Sequence, residues 1–302
     1  MATTVPPAIF RAEVVRVVSL TPGLVRITLA GEGLRDFATT GVGDEYLRIF
    51  FPHTADRTLV NLPVVSANGG WEFAEDVERA PMRTYTVRAA RPGEVDIDFV
   101  VHEGGVAAQW ALDARVGDVV GLNAPTGLYD PPEDLSWQLL VADQTGLPAV
   151  CRILEQTPSH VESRVVLEVP DAEHQLDVGA NTSVTWVHGG NGHGQSRLGD
   201  LVRGAVPAEA LATGLEGGYV WVAGETHALR DARRFLRRES GLAATRYKVV
   251  GYWTVDAERV RDRYEALDEK IRTELIEMWR DEERDREEIE DEYIERLEKL
   301  GL

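Results

Sequence analysis

Cysteine is almost missing from this sequence: Cys151 stands alone among 302 residues. One thiol excludes an internal disulfide framework and suits a reducing compartment, which makes the cytoplasm the expected location. No run of about 18 apolar residues occurs, so no membrane-spanning helix is expected. The stretch from Met1 to Phe10 lacks the basic segment and long apolar run of a secretory signal. Positive charge is scarce as well, with 32 Lys and Arg against 51 Asp and Glu and a formal net charge of -19. Such a surface repels nucleic-acid phosphates and anionic lipid, and neither is expected as a partner. The 7 histidines include no i, i+4 pair, and with one cysteine they make no metal site. Also absent are the G-x-G-x-x-G fingerprint and the G-x-S-x-G nucleophile elbow. The glycine-rich segment Gly189 to Gly194 has the spacing of neither common phosphate fingerprint and reads as a flexible surface loop.

What is present is ordinary for a globular chain, 43% hydrophobic and 27% charged, and long enough for two domains. Residues Phe10 to Leu20, Leu24 to Leu29, Glu45 to Phe51, Met82 to Arg88, Val95 to His102 and Val116 to Leu122 read as strands, several with period-2 alternation. Six short strands with polar turns, and only a short helix over Val106 to Ala114, predict a closed antiparallel barrel. Pro125 to Pro132, rich in Pro, Gly and Asp, reads as a linker. Strands then alternate with helices: Gln138 to Ala142, Ser163 to Val169, Ser183 to Val187, Tyr219 to Ala223 and Tyr247 to Tyr252, with helices over Pro148 to Gln156, from Leu198 and over Ala228 to Ser240. That grammar predicts a parallel sheet covered on both faces. The expected divisions are residues 1–130, 135–256 and a charged helical extension over 257–302. In this extension 18 acids accompany 10 bases, and apolar residues recur every three or four positions from Val260 to Met278. A helix docked on its own domain and one that pairs two chains into a homodimer both fit the pattern.

Five segments could carry chemistry. In Arg83-Thr84-Tyr85-Thr86, alternation puts Arg83 and Tyr85 on one strand face, where a guanidinium and an aromatic ring could hold a phosphate and a flat heterocycle; a surface Arg and a barrel-end Tyr fit equally. Asp96 to Trp110 runs a strand through His102 into Gly104-Gly105 and a short helix, an anion-binding arrangement in which glycine permits close approach. Leu139 to Ala149 ends a buried strand at Asp143, turns at Thr145-Gly146 and starts a helix near Pro148, a place for a dinucleotide phosphate beyond the carboxyl ends of parallel strands. Val220 to Glu225 repeats that geometry, followed by Arg230, Arg233, Arg234, Arg237 and Arg238, mostly read as a solvated basic face. Val249 to Trp253 ends in Gly251 and two aromatics.

In this order the segments resemble the siderophore-interacting protein family of flavin reductases, within the ferredoxin-reductase-like group. The resemblance spans residues 8–254 and rests on Arg83-x-Tyr85-Thr86, Asp98-Phe99-Val100-x-His102, Gly105-x-Ala107, Trp110-Ala111, Gly117-Asp118, Pro125-x-Gly127, Asp143-x-Thr145-x-Leu147-Pro148-Ala149, Ala223-Gly224-Glu225, Arg233-Arg234 and Gly251-Tyr252-Trp253. It implies a two-domain β plus α/β fold: a six-stranded antiparallel FAD-binding barrel, then a Rossmann-like NAD(P)H-binding domain. It implies that electrons pass from NAD(P)H through FAD to Fe(III) of a ferric siderophore. It also implies that Arg83, Thr84, Tyr85 and Thr86 hold FAD, with Thr86 tuning the ring nitrogen N5, and that Val100, His102, Gly105, Val106, Ala107 and Ala108 contact the rest. Thr145, Gly224 and Glu225 would lie by the nicotinamide, Trp253 by the flavin mouth, and Arg48 would bind the anionic substrate. Thr126 and Thr254 stand where the family often has basic residues, which keeps a ferredoxin-type or organic acceptor as an alternative. A non-enzymatic flavoprotein that binds a partner through its tail is another. The choice of NADH or NADPH depends on where Arg230, Arg246 and Lys248 point.

Overall fold

The computed structural model describes residues 2–67, 69–102, 105–179, 182–191, 194–255, 260, 263–280, 284 and 286–301. Residues 1–252 make one compact unit and 253–302 another.

The first unit begins with ten strands: β1 (Thr3–Thr4), β2 (Ile9–Thr21), β3 (Leu24–Ala30), β4 (Tyr46–Phe50), β5 (Val64–Val65), β6 (Trp71–Glu72), β7 (Met82–Arg91), β8 (Glu94–Val100), β9 (Val119–Asn123) and β10 (Thr126–Gly127). β9, β2, β3, β8, β7 and β4 are antiparallel neighbours in that order. β4 then pairs with β9 through Ile49↔Leu122 and Phe50↔Gly121, which closes the expected six-stranded barrel. Alternation decides which side chains fill it. In β3, Val25, Ile27 and Leu29 point inward; in β8, Val95, Ile97 and Phe99 do. Full burial of each such side chain is worth about 1.5–3 kcal/mol. The intervening polar residues pair across the outer face: Arg26 donates to Asp98 at 2.6 and 2.8 Å, and Thr28 donates to Asp96 at 2.7 Å. Helix α1 (Val106–Leu112) is packed by Trp110, whose ring lies 5.2 Å from Phe51 and 5.6 Å from Phe99. The strand expected from Val116 begins at Val119, because Gly117 turns the chain at a φ of 95° and Asp118 accepts the Arg115 N–H. The connecting segment after Pro125 is itself fixed: β10 pairs with Tyr46, and Leu128 and Tyr129 donate their N–H groups to the buried Asp44.

The second half of this unit holds β11 (Trp137–Asp143), α2 (Leu147–Gln156), β12 (Glu162–Val169), β13 (Ser183–His188), α3 (Leu198–Ala205), α4 (Ala208–Ala212), β14 (Gly218–Glu225), α5 (Thr226–Arg233) and β15 (Tyr247–Trp253). The sheet order is β13-β12-β11-β14-β15, with β13, β12, β11 and β14 parallel. Leu147, Val150 and Ile153 of α2 pack on one face, whereas Leu198, Val202, Leu229 and Ala232 of α3 and α5 pack on the other. The helix expected over Ala228 to Ser240 passes into a π-helical turn at Arg234–Glu239. Arg233, expected on the solvated basic face, lies before that turn and is only 1% exposed, because i, i+3, i+4 spacing puts it on the buried face of α5 with Leu229 and Ala232.

One hydrophobic cluster joins barrel and sheet, with Leu24, Leu20 and Val100 packed among Leu140, Ala142, Leu147, Val150, Trp221 and Tyr252. Buried charge staples the same seam. Arg152 of α2 reaches Glu45 at 2.6 Å and donates to the carbonyl of Val87 at 2.7 Å. Asp44 also accepts Nε1–H of Trp221 at 3.0 Å.

In the second unit the described residues of the charged extension include α6 (Glu269–Glu277) and α7 (Arg286–Lys299), with a short 3-10 turn at Met278–Arg280 after the first, and Val260 and residues 263–265 are helical as well. The Asp268 side chain accepts the Lys270 N–H, and Trp279 meets Tyr293 edge-on at 5.5 Å. Among the described residues, no helix is long and apolar enough to cross a membrane.

Candidate active site

Strand β7 sorts its four singled-out residues onto two faces. Arg83 and Tyr85 lie opposite Ile49 and Leu47 on the inward side, as alternation requires. The Tyr85 ring packs 4.4 Å from Phe99, and burial pushes its phenol well above the usual tyrosine value. Arg83 is half-buried, and its Nη1 donates to the carbonyl of Met82 at 2.8 Å. Thr84 and Thr86 face outward, beside Arg48 and Tyr46 of β4. Thr84 is exposed; Thr86 is buried, at 6% exposure. The exposed Arg48 holds its guanidinium 5.0 Å over the Trp71 ring.

Val100 ends β8 against the shared cluster. His102 is exposed, and its Cε1 lies 3.4 Å from where a Cβ on Gly105 would stand; Gly105 itself has a φ of 80°. Glu103 and Gly104 lie outside the described residues. Val106 is exposed, whereas the methyl groups of Ala107 and Ala108 are buried, which leaves those two only backbone atoms to offer a ligand.

At the carboxyl edge of the sheet, Asp143 organises the next three residues. Its Oδ1 accepts from the Thr145 N–H at 2.8 Å and the Thr145 hydroxyl at 2.5 Å, and its Oδ2 accepts the Glu225 N–H at 3.0 Å. Gly224 is required there, since a Cβ would stand 2.5 Å from Leu198 Cδ1 and 2.6 Å from Asp143 Oδ2. The Glu225 carboxylate turns back to accept the Ala228 N–H at 2.9 Å and to meet His227 Nδ1 at 2.9 Å. Trp253 ends β15 and opens the second unit.

Tyr252 brings the two edges together. Its hydroxyl is buried beside the Thr86 hydroxyl and within electrostatic reach of Asp44, Asp143 and Tyr46, yet among the described residues no partner meets it at hydrogen-bonding geometry. Burial, with those carboxylates, raises its phenol far above the ordinary value. Barrel strand β7 and the ends of β11 and β15 therefore meet at one place. Sequence reasoning named Tyr252 as a terminal aromatic without placing it. Tyr46 was missed, although its position two residues before Arg48 put both on one strand face.

A siderophore-interacting FAD-binding domain model matches residues 13–129, and the siderophore-interacting protein model matches residues 135–256. The chain belongs to the siderophore-interacting protein family. Ferric vibriobactin reductase ViuB of Vibrio cholerae is 32% identical over 247 residues, which cover 80% of this chain and 88% of that protein. The NADPH-dependent ferric-chelate reductase of Escherichia coli is 28% identical over 250 residues, covering 80% and 91%. The crystal structure of a siderophore utilization protein from T. fusca superposes with a TM-score of 0.71 at 28% identity, covering 85% of this chain and 96% of that one.

This siderophore-interacting protein is a flavin-dependent oxidoreductase, and its barrel half is the FAD-binding domain. Its residues fit that cofactor. The Tyr252 hydroxyl makes no well-formed hydrogen bond among the described residues, the Thr86 hydroxyl lies beside it, and the Trp221 ring meets Tyr252 edge-on at 6.2 Å. A flat ring system edged with nitrogen and oxygen atoms supplies what such polar atoms lack.

Proposed function

We propose that this protein takes electrons from NAD(P)H and delivers them to Fe(III) held by a siderophore, releasing Fe(II) for iron assimilation in the cytoplasm. The observation that carries the reading is the convergence on Tyr252 of the FAD-binding barrel, through Thr86, and of the carboxyl edge of the parallel sheet, through Asp143. Open parallel sheets bind nucleotides beyond that edge. A donor bound there would lie at the edge that Asp143 organises, and FAD would be held by the barrel residues that converge with it on Tyr252.

FAD, when bound, supplies the conversion of a two-electron hydride donor into one-electron reductions, so that one hydride reduces two Fe(III) centres. The residues position. Thr86 would offer its hydroxyl to the reactive ring nitrogen. Arg83 would pair with the pyrophosphate, and Thr84, Tyr85, Val100, His102 and the segment from Gly105 to Ala108 would line the remainder. Thr145, Gly224 and Glu225 would seat the nicotinamide, and Trp253 would border the ring. Arg48, already stacked on Trp71, draws in the anionic chelate. Fe(II) is bound less tightly by the chelator and leaves. No side chain need act as a general acid or base.

A second reading, with a ferredoxin-type or organic acceptor, rests on Thr126 and Thr254, which add no positive charge to the acceptor face. Anaerobic turnover with NADPH and a ferrous-specific trap decides between them. Trapped Fe(II) from a ferric siderophore supports the first; turnover only with an electron-carrier protein supports the second.

A further inference from the structure

The loop from Gly189 to Gly194, expected to be a flexible surface loop, is anchored at both ends. Asn191, at a φ of 58°, accepts the Gln144 N–H on its Oδ1 at 3.0 Å. After the loop, Ser196 donates its hydroxyl to Glu168 Oε2 at 2.7 Å, and the Arg197 N–H donates to Glu168 Oε1 at 2.7 Å. Gly190 closes over the same carboxylate, since a Cβ there would stand 2.4 Å from the Glu168 carboxyl carbon. Gly192 and His193 lie outside the described residues.

Glu168 stands next to last in β12, in register with Asp143 of β11. In a sheet of this strand order the acidic residue at the end of the second strand is the one that binds the adenosine ribose 2′-hydroxyl of NADH. Here that carboxylate is 0% exposed, and both of its oxygens are taken by the loop. Asp171, the next acid along, caps its own turn by accepting the Glu173 N–H at 2.9 Å and contacting His174 Nδ1 at 2.7 Å. Neither is arranged for a ribose diol. Arg197 is exposed at this corner; its N–H is held by Glu168, and its guanidinium has no ion pair or hydrogen bond among the described residues. Arg246 is spent elsewhere, bidentate on Asp134 at 2.8 and 3.1 Å just before β11, the opposite end of the sheet from this corner.

Resting on the donor assignment above, we propose that Arg197 is the 2′-phosphate subsite and that the protein takes NADPH in preference to NADH. A planar guanidinium pairs with phosphate oxygens through charge-assisted hydrogen bonds. It provides a local cation in a chain of net charge -19. Gly190, Ser196 and Glu168 fix the backbone from which it projects.

Calorimetric titration of the FAD-loaded protein with adenosine 2′,5′-bisphosphate and with 5′-AMP isolates this phosphate, the only difference between the two. The wild type should bind the bisphosphate about tenfold more tightly, the effect of one charge-assisted contact. Arg197→Ala should reduce the bisphosphate to the affinity of 5′-AMP and leave 5′-AMP unchanged, and Arg197→Lys should keep part of the preference. Equal affinities in the wild type, or a preference that survives Arg197→Ala, would overturn the proposal and leave the donor assignment standing. Binding of neither nucleotide by protein that retains flavin would remove both.

Discussion

The Oδ2 atom of Asp143 accepts the backbone N–H of Glu225 at 3.0 Å and so ties the end of β11 to the end of β14. With Oδ1 holding Thr145, one carboxylate sets the edge on which a nucleotide would rest. Asp143→Ala takes the acceptor from the buried Glu225 N–H of β14 and from the part-buried Thr145 N–H and hydroxyl in the turn after β11. An unsatisfied buried donor costs about 1–3 kcal/mol, so a stability loss of roughly 3 kcal/mol is expected in urea denaturation, with weaker NADPH binding. Stability and KM both at wild-type values would contradict the role.

Thr86→Val keeps the shape of the side chain and removes its hydroxyl. The variant should hold FAD stoichiometrically while hydride transfer from NADPH slows by about tenfold, the effect of one hydrogen bond made in the transition state. Stopped-flow absorbance under anaerobic conditions measures it. Wild-type reduction kinetics would remove Thr86 from the chemistry.

The seam between barrel and sheet should depend on Arg152. Glu45 is 0% exposed and receives the Arg152 guanidinium at 2.6 Å. Arg152→Met leaves that carboxylate buried without its counter-ion, a loss of about 3–5 kcal/mol, to be read from denaturant midpoints. A change under about 1 kcal/mol would show that the seam is held by its apolar contacts alone.

Burial pushes the Cys151 thiol from 9.0 up to about 11. Its folded value lies above its unfolded one, so the stability it contributes is whole at lower pH and drains as pH rises from 9 towards 11. At about pH 10.5 the wild type should have lost on the order of 2 kcal/mol more than Cys151→Ala, relative to about pH 8. Parallel losses in the two proteins would contradict the burial of the thiol. The same burial predicts little alkylation of Cys151 until the protein unfolds.

The barrel was legible because alternation is local. Val25, Ile27 and Leu29 declare an inward face without reference to any other strand. The Asp143, Thr145 and Gly224 edge was legible for a similar reason, as strand-end and turn chemistry in sequence. Pairings across long stretches of chain were not. Nothing in the sequence places Tyr46 opposite Thr86 or buries the Tyr252 hydroxyl between barrel and sheet, since both depend on how separate elements dock. Glu168 reads as one more acid in an acidic chain until the loop after β13 closes on it. The charge pattern after Ala228 misled at Arg233, because its charge outweighed the helical spacing that sets it on the buried face of α5 with Leu229 and Ala232.

The most direct test of the reductase account is the absorbance of the purified, FAD-loaded protein through an anaerobic sequence of additions. NADPH should bleach the flavin bands, and a ferric siderophore added next should restore them with two Fe(II) released per NADPH. A colourless protein that takes up no FAD would contradict the account at its cofactor, and a bleached flavin that ignores every ferric chelate would contradict it at its acceptor.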